Sequence, residues 1–135
     1  MVRGFDATPP ASSGEYRHID SRPGFQEALR EAFSQAAGAG CRELWLCDLN
    51  YANWPLGEVK VVEMLTAWAY AHRKLVLLGL DFDEVPRRHP RFMAWRRHWS
   101  HVVESRMLCD IESTQVPCVL WAQDLVCVKM ADPIH

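Results

Sequence analysis

Lys74-Leu75-Val76-Leu77-Leu78-Gly79-Leu80 is a continuous apolar run of strand length, and Glu43-Leu44-Trp45-Leu46-Cys47-Asp48 is a second one some thirty residues earlier. The first reads as a strand buried on both faces. Between them, Glu58 to His72 carries apolar residues at helical spacing. Val61, Leu65, Trp68 and His72 fall on one stripe, with Val62 and Ala69 beside it. Strand, helix, strand in this order predicts two parallel strands joined by a crossover helix.

Working outward, Phe25, Leu29, Ala32, Phe33 and Ala36 recur at helical spacing and the pattern stops at Gly38-Ala39-Gly40. Leu49 to Gly57 reads as a loop, with Asn50, Asn53 and Pro55 as breakers. A polar loop from Asp81 to His89 leads to Pro90, a good first residue for a third helix running to about Ser105. Arg106 to Ile111 reads as another strand. Val119–Ala122 and Leu125–Met130 read as a hairpin closed through Gln123-Asp124. The expected fold class is α/β: a mixed, mainly parallel sheet flanked by helices, with the antiparallel C-terminal hairpin at one edge. Residues 1–23 are rich in Pro, Gly, Ser and charge and read as a mobile arm, within which Tyr16 to Ile19 is an extended piece able to dock onto the sheet. Residues 24–135 form the single domain.

Composition narrows the function classes. A formal net charge of −2 argues against general nucleic-acid affinity through overall charge. The five cysteines are odd in number and form no Cys-x-x-Cys, so buried reduced thiols are expected rather than a disulfide framework or a zinc site. No signal pattern opens the chain and no run is long enough to span a membrane, which makes the cytoplasm the expected compartment. There is no Gly-rich dinucleotide loop after a strand, no GxxxxGK[ST] and no GxSxG. Neither a catalytic motif nor a cofactor is indicated.

Two segments could carry chemistry. Arg87, Arg88, His89 and Arg91 cluster at the start of the third helix, where free N–H groups and the helix dipole favour an anion. Their alternative role is pairing with Asp81, Asp83 and Glu84 across the same loop. The rest of that basic stretch is spread around the helix, while Phe92, Trp95 and Trp99 share one face and read as core. The second segment is Asp48 and Asp81, at the ends of the two apolar strands, with Asp83 just beyond. If neighbouring strands bring them together they suit Mg²⁺. Otherwise they cap loops.

Trp54-Pro55-Leu56, Trp68, His89-Pro90-Arg91-Phe92, Trp95-Arg96 and Trp99 form a pattern that resembles a group of small proteobacterial proteins of unknown function. The layout also resembles one repeat of the phospholipase D-like fold. That family carries a His-x-Lys-x4-Asp motif on a late strand, whose His attacks phosphorus. Here the late strand reads Cys127-Val128-Lys129-Met130-Ala131-Asp132. Lys129 matches, Cys127 stands at the His position, and Asp132 comes too early. The resemblance thus implies a repeat without its nucleophile.

The resulting expectation is a non-catalytic binding or regulatory domain for a small anionic ligand, as a homodimer joined through a sheet edge or helix faces. The alternatives are a metal-assisted phosphotransferase or hydrolase built on Asp48, Asp81 and Asp83, and a protein-interaction domain.

Overall fold

The computed structural model describes residues 15–69 and 72–131. The order of elements is β1 (Glu15–Ile19), α1 (Arg22–Ala39), β2 (Glu43–Asp48), α2 (Val59–Trp68), β3 (Lys74–Gly79), α3 (Glu84–Arg88), α4 (Pro90–His98), β4 (Val103–Met107), β5 (Val119–Ala122) and β6 (Val126–Met130). A 3₁₀ turn, Pro55–Gly57, precedes α2.

Helix α1 is delimited by local chemistry. The Ser21 side chain accepts a hydrogen bond from Gly24 N, and Pro23 occupies the first turn, where a missing N–H costs nothing. At the other end Gly40 takes a left-handed conformation at φ 73° and its N–H returns to Ala36 O. A side chain there would be strained.

The six strands form one sheet in the order β1-β6-β5-β2-β3-β4. β2–β3, β3–β4 and β1–β6 pair in parallel, while β2–β5 and β5–β6 pair antiparallel. The sheet is therefore mixed rather than mainly parallel, and the β5–β6 hairpin sits inside it rather than at an edge. The reason is that Glu15–Ile19 adds outside β6 and takes the edge itself.

The connections β1-α1-β2, β2-α2-β3 and β3-α3-α4-β4 all step across the sheet in the same direction. Crossovers are right-handed, so steps in one direction place every helix on the same face. Leu44, Leu46, Leu75, Leu77, Leu120 and Val128 point into that helical core, against Phe25, Leu29, Phe33, Val61, Leu65, Trp68 and Phe92. On the opposite face Cys47, Val76, Leu78, Val119 and Cys127 are covered by Leu108, Ile111 and Val116 from the segment between β4 and β5, with Trp45 and Trp121 beside them.

Several expected boundaries move. The third helix was expected to reach Ser105, but α4 ends at His98, and β4 begins at Val103 instead of Arg106. Val102 and Val103 do reach the same core as Phe92 and Trp95, but as the turn and first strand residue that lead into pairing with β3, where Leu75 N donates to Val102 O. Pairing with a buried strand outweighs the local helical pattern. The second helix is Val59–Trp68, shorter than Glu58 to His72, and the expected loop 81–89 contains α3. Residues 1–14 of the expected arm and Asp132 lie outside the described residues.

Four cysteines, Cys41, Cys47, Cys118 and Cys127, are buried and Cys109 is exposed. Burial pushes the Cys47 thiol up to about 12, with Asp48 adding to the rise, and raises Cys41, Cys118 and Cys127 as well. Thiols that do not ionise and cannot be reached do not react. A disulfide-exchange reagent added to the native protein at pH 8 is expected to label one thiol rapidly, with the other four reacting only after denaturation. Loss of the fast phase in Cys109→Ser checks the assignment.

Candidate anion-binding site

The loop after β2 builds the floor of the site. The Asp48 carboxylate accepts from Tyr51 N at 2.7 Å and from Asn50 N at 3.3 Å, and the Asn50 side chain accepts from Ala52 N at 3.0 Å. These Asx-type turns hold Tyr51 at φ 64°. The Tyr51 ring is fully buried against Trp54 and Phe82, and its hydroxyl donates to Leu78 O at 2.7 Å.

His89 locks the loop to the helices above it. It is the one buried polar or charged residue among those described, at 5% exposure, and its Nε2 lies 2.8 Å from Tyr51 O. A carbonyl can only accept, so Nε2 carries the proton in this contact. Gly57 packs beneath the ring. A Cβ at that position would lie 3.2 Å from His89 Nδ1 and 3.3 Å from both Arg88 O and His89 Cα. The close approach of 3₁₀ turn and imidazole favours glycine here, since a Cβ would have to push its neighbours back by a few tenths of an ångström.

Around this contact opens a polar cleft of about 320 Å³. Arg88, His89 and Arg91 line it on one side, and Gln26 and Arg30 of α1 with Asn53 and Glu58 on the other. Arg91 donates to Gly57 O at 3.0 Å, and Gln26 to Asn53 O at 2.7 Å. Arg30 forks onto Glu58 at 2.9 and 2.8 Å and also reaches Glu27. The hydrogen bonds from Arg30 hold the Glu58 carboxyl below its ordinary range, and Glu58 in turn raises Arg30.

Of the four basic residues expected to act together, three line the cleft. Arg87 does not, and its side chain is 76% exposed. Arg87 and Arg88 both pair with Glu84, one of the three acids expected as partners. Arg91 differs from them. It donates to a carbonyl, and among the described residues no carboxylate lies within ion-pair distance of it. It also stands at the start of α4, where no side chain caps the helix amides. Arg30, Asn53 and Glu58 were missed by sequence reasoning. The trace they leave there is Gln26 and Arg30 one helical turn apart on the polar flank of α1.

The acidic residues behave otherwise. Asp48 spends its carboxylate on the loop amides, and Asp81 accepts from Asp83 N at 2.8 Å within its own turn. Among the described residues no group of three or more His, Cys, Asp or Glu is placed to hold a metal ion, so Asp48, Asp81 and Asp83 are not brought together as a metal centre. Cys127 packs on the helix-free face, and Lys129, two residues along β6, shares it. Neither can serve the cleft, which lies on the helical side. No family model, curated protein or solved structure matches the chain.

Replacing His89 by Ala removes the shorter of the two hydrogen bonds to Tyr51 O, leaving that from Trp54 N at 3.3 Å, and opens a void, at a cost of about 2–4 kcal/mol. Chemical denaturation measures it, and a change below about 0.5 kcal/mol would show that the imidazole does not hold the loop. Glu58→Gln tests the ion pair through pH. Because the Glu58 carboxyl is depressed in the fold, its contribution is complete above the ordinary pKa of about 4.3 and is lost as pH falls through the lower folded value. Both partners are substantially exposed, so the difference from wild type at pH 7 is expected to be under about 1 kcal/mol and to disappear as pH falls below the depressed folded-state pKa.

Proposed function

We propose that this domain binds a small anion, a phosphate or carboxylate group on a small molecule, in the cleft between α1, the 3₁₀ turn and α4, and that it does so without catalysing a reaction. The observation that carries the reading is Arg91. Its guanidinium has no carboxylate partner among the described residues, and it sits beside uncapped helix amides at the wall of a cleft also lined by Arg88 and Arg30. Guanidinium forks and a helix N-terminus are complementary to phosphate and carboxylate oxygens.

The electrostatics set limits on the ligand. Arg30 is neutralised by Glu58, so it orients a neighbour rather than supplying free charge. Arg88 can exchange Glu84 for a ligand oxygen at little cost, because exposed ion pairs are weak. The ligand then meets one free and one recruitable guanidinium, which suits a single phosphate or carboxylate better than a polyanion such as a nucleic-acid strand.

Inorganic phosphate, and separately a nucleoside monophosphate, at millimolar concentration is expected to raise the melting temperature of the wild-type protein. The effect should fall with added salt and be lost in Arg91→Ala. Arg88→Ala should weaken it, while Arg87→Ala, outside the cleft, should leave it unchanged. No shift with either compound, or a shift that survives Arg91→Ala, overturns the reading.

A further inference from the structure

We propose that β4 is the contact strand of a symmetric homodimer, in which two copies pair antiparallel across a two-fold axis at Ser105. The sheet ends at β4, which pairs with β3 on one side only. Leu75 N donates to Val102 O, and Leu108 N to Gly79 O, so the backbone at 102 and 108 faces β3. Counting by twos, Glu104 and Arg106 face β3 as well, and the backbone groups of Ser105 and Met107 and the Val103 carbonyl face outward. Edges of this kind accept another strand unless something blocks them. β4 has no proline, no glycine and no lysine, and Met107 is 68% exposed on it.

The side chains select the occupant. In an antiparallel pair centred on Ser105, Ser105 exchanges both backbone hydrogen bonds with Ser105 of the second copy. Met107 N–H then reaches the second copy's Val103 carbonyl. Glu104 stands directly opposite Arg106 of the second copy, and Arg106 opposite its Glu104, in the non-hydrogen-bonded positions where side chains come closest, at about 4.5 Å between Cα atoms. Within one chain Glu104 and Arg106 already pair with each other, so the dimer would close four charges into one alternating network. Moving the axis one residue either way puts Glu104 opposite Glu104 or Arg106 opposite Arg106. Only the Ser105-centred register is electrostatically self-complementary.

One further observation agrees with this. Met107 would lie beside Val103 of the second copy, which removes the largest exposed apolar side chain on the strand from water. The other edge, β1, also carries a glutamate and an arginine, but there Arg17 is held by Glu31 of α1.

Charge reversal gives a decisive test, read by sedimentation velocity on the full chain with circular dichroism confirming the fold of each variant. The wild-type protein is expected to dimerise with a concentration-dependent midpoint. Glu104→Arg alone and Arg106→Glu alone each place like charges opposite one another twice and should weaken dimerisation at least about tenfold. Mixing the two single variants restores both attractive pairs, so an equimolar mixture should form heterodimers about as well as wild type dimerises. The double variant E104R/R106E should also dimerise. A wild-type chain that stays monomeric at about 100 μM, single variants that dimerise normally, or a mixture that fails to associate each overturn the proposal. Normal dimerisation of the single variants combined with its loss in Arg17→Glu would assign the contact to β1 instead.

Discussion

All three crossovers step across the sheet in the same direction, and much of the molecule's form follows from that constraint. Right-handed connections stepping one way can only stack helices on one face. Phe25, Leu29, Phe33, Val61, Leu65, Trp68 and Phe92 therefore share a single core with the inward residues of the sheet. The opposite face has no α-helix among the described residues, only the 3₁₀ turn Ser113–Gln115. The chain between β4 and β5 folds back over its upper part, and Trp45 is flanked by Lys74 and Arg106 at 5.9 and 5.5 Å from its ring. Such flanking supplies cation–π attraction while the long aliphatic stems shield apolar surface.

The same winding decides where the polar cleft lies. The connections leaving β2 and β3 at their carboxyl ends must both turn toward the helical side, so the loop 49–57 and the α3–α4 junction meet there. His89 joins them. Its bond to Tyr51 O, at 2.8 Å, is shorter than the one that carbonyl accepts from Trp54 N at 3.3 Å, and the Tyr51 hydroxyl ties the loop down to Leu78 O. Burial of a polar side chain is tolerated because its partner is in place. The cleft over this contact is consequently framed by helix ends and turns rather than by strands, and its charge comes from arginines on two separate helices.

The arginines also show that basic density and available charge are different quantities. Five arginines lie between residues 87 and 97. Two are matched by Glu84, and Arg91 is left with a carbonyl. A cluster that looks uniform along the chain is thus resolved into neutralised and available members by the direction each side chain takes around a short helix.

How much of this was legible along the chain depends on how local the determining forces are. The amphipathic spacing of Phe25 to Ala36 and its stop at Gly38-Ala39-Gly40, the apolar runs at Glu43–Asp48 and Lys74–Gly79 and the turn at Gln123-Asp124 are set by neighbours a few residues apart, and each produced the expected element. Clustering of Arg88, His89 and Arg91 at the start of α4 was equally local. Tertiary structure alone decided the rest. The chain leaves the helix at His98 because Val103–Met107 pairs with a strand some thirty residues away. The hairpin lies inside the sheet because the N-terminal strand claims the outer side of β6. Arg30, Asn53 and Glu58 reach the cleft, and Asp48 and Asp81 fail to share one, through packing between segments that no local pattern links. Periodicity reports the conformation of a segment, whereas strand partners and cleft walls are chosen by which surfaces bury one another.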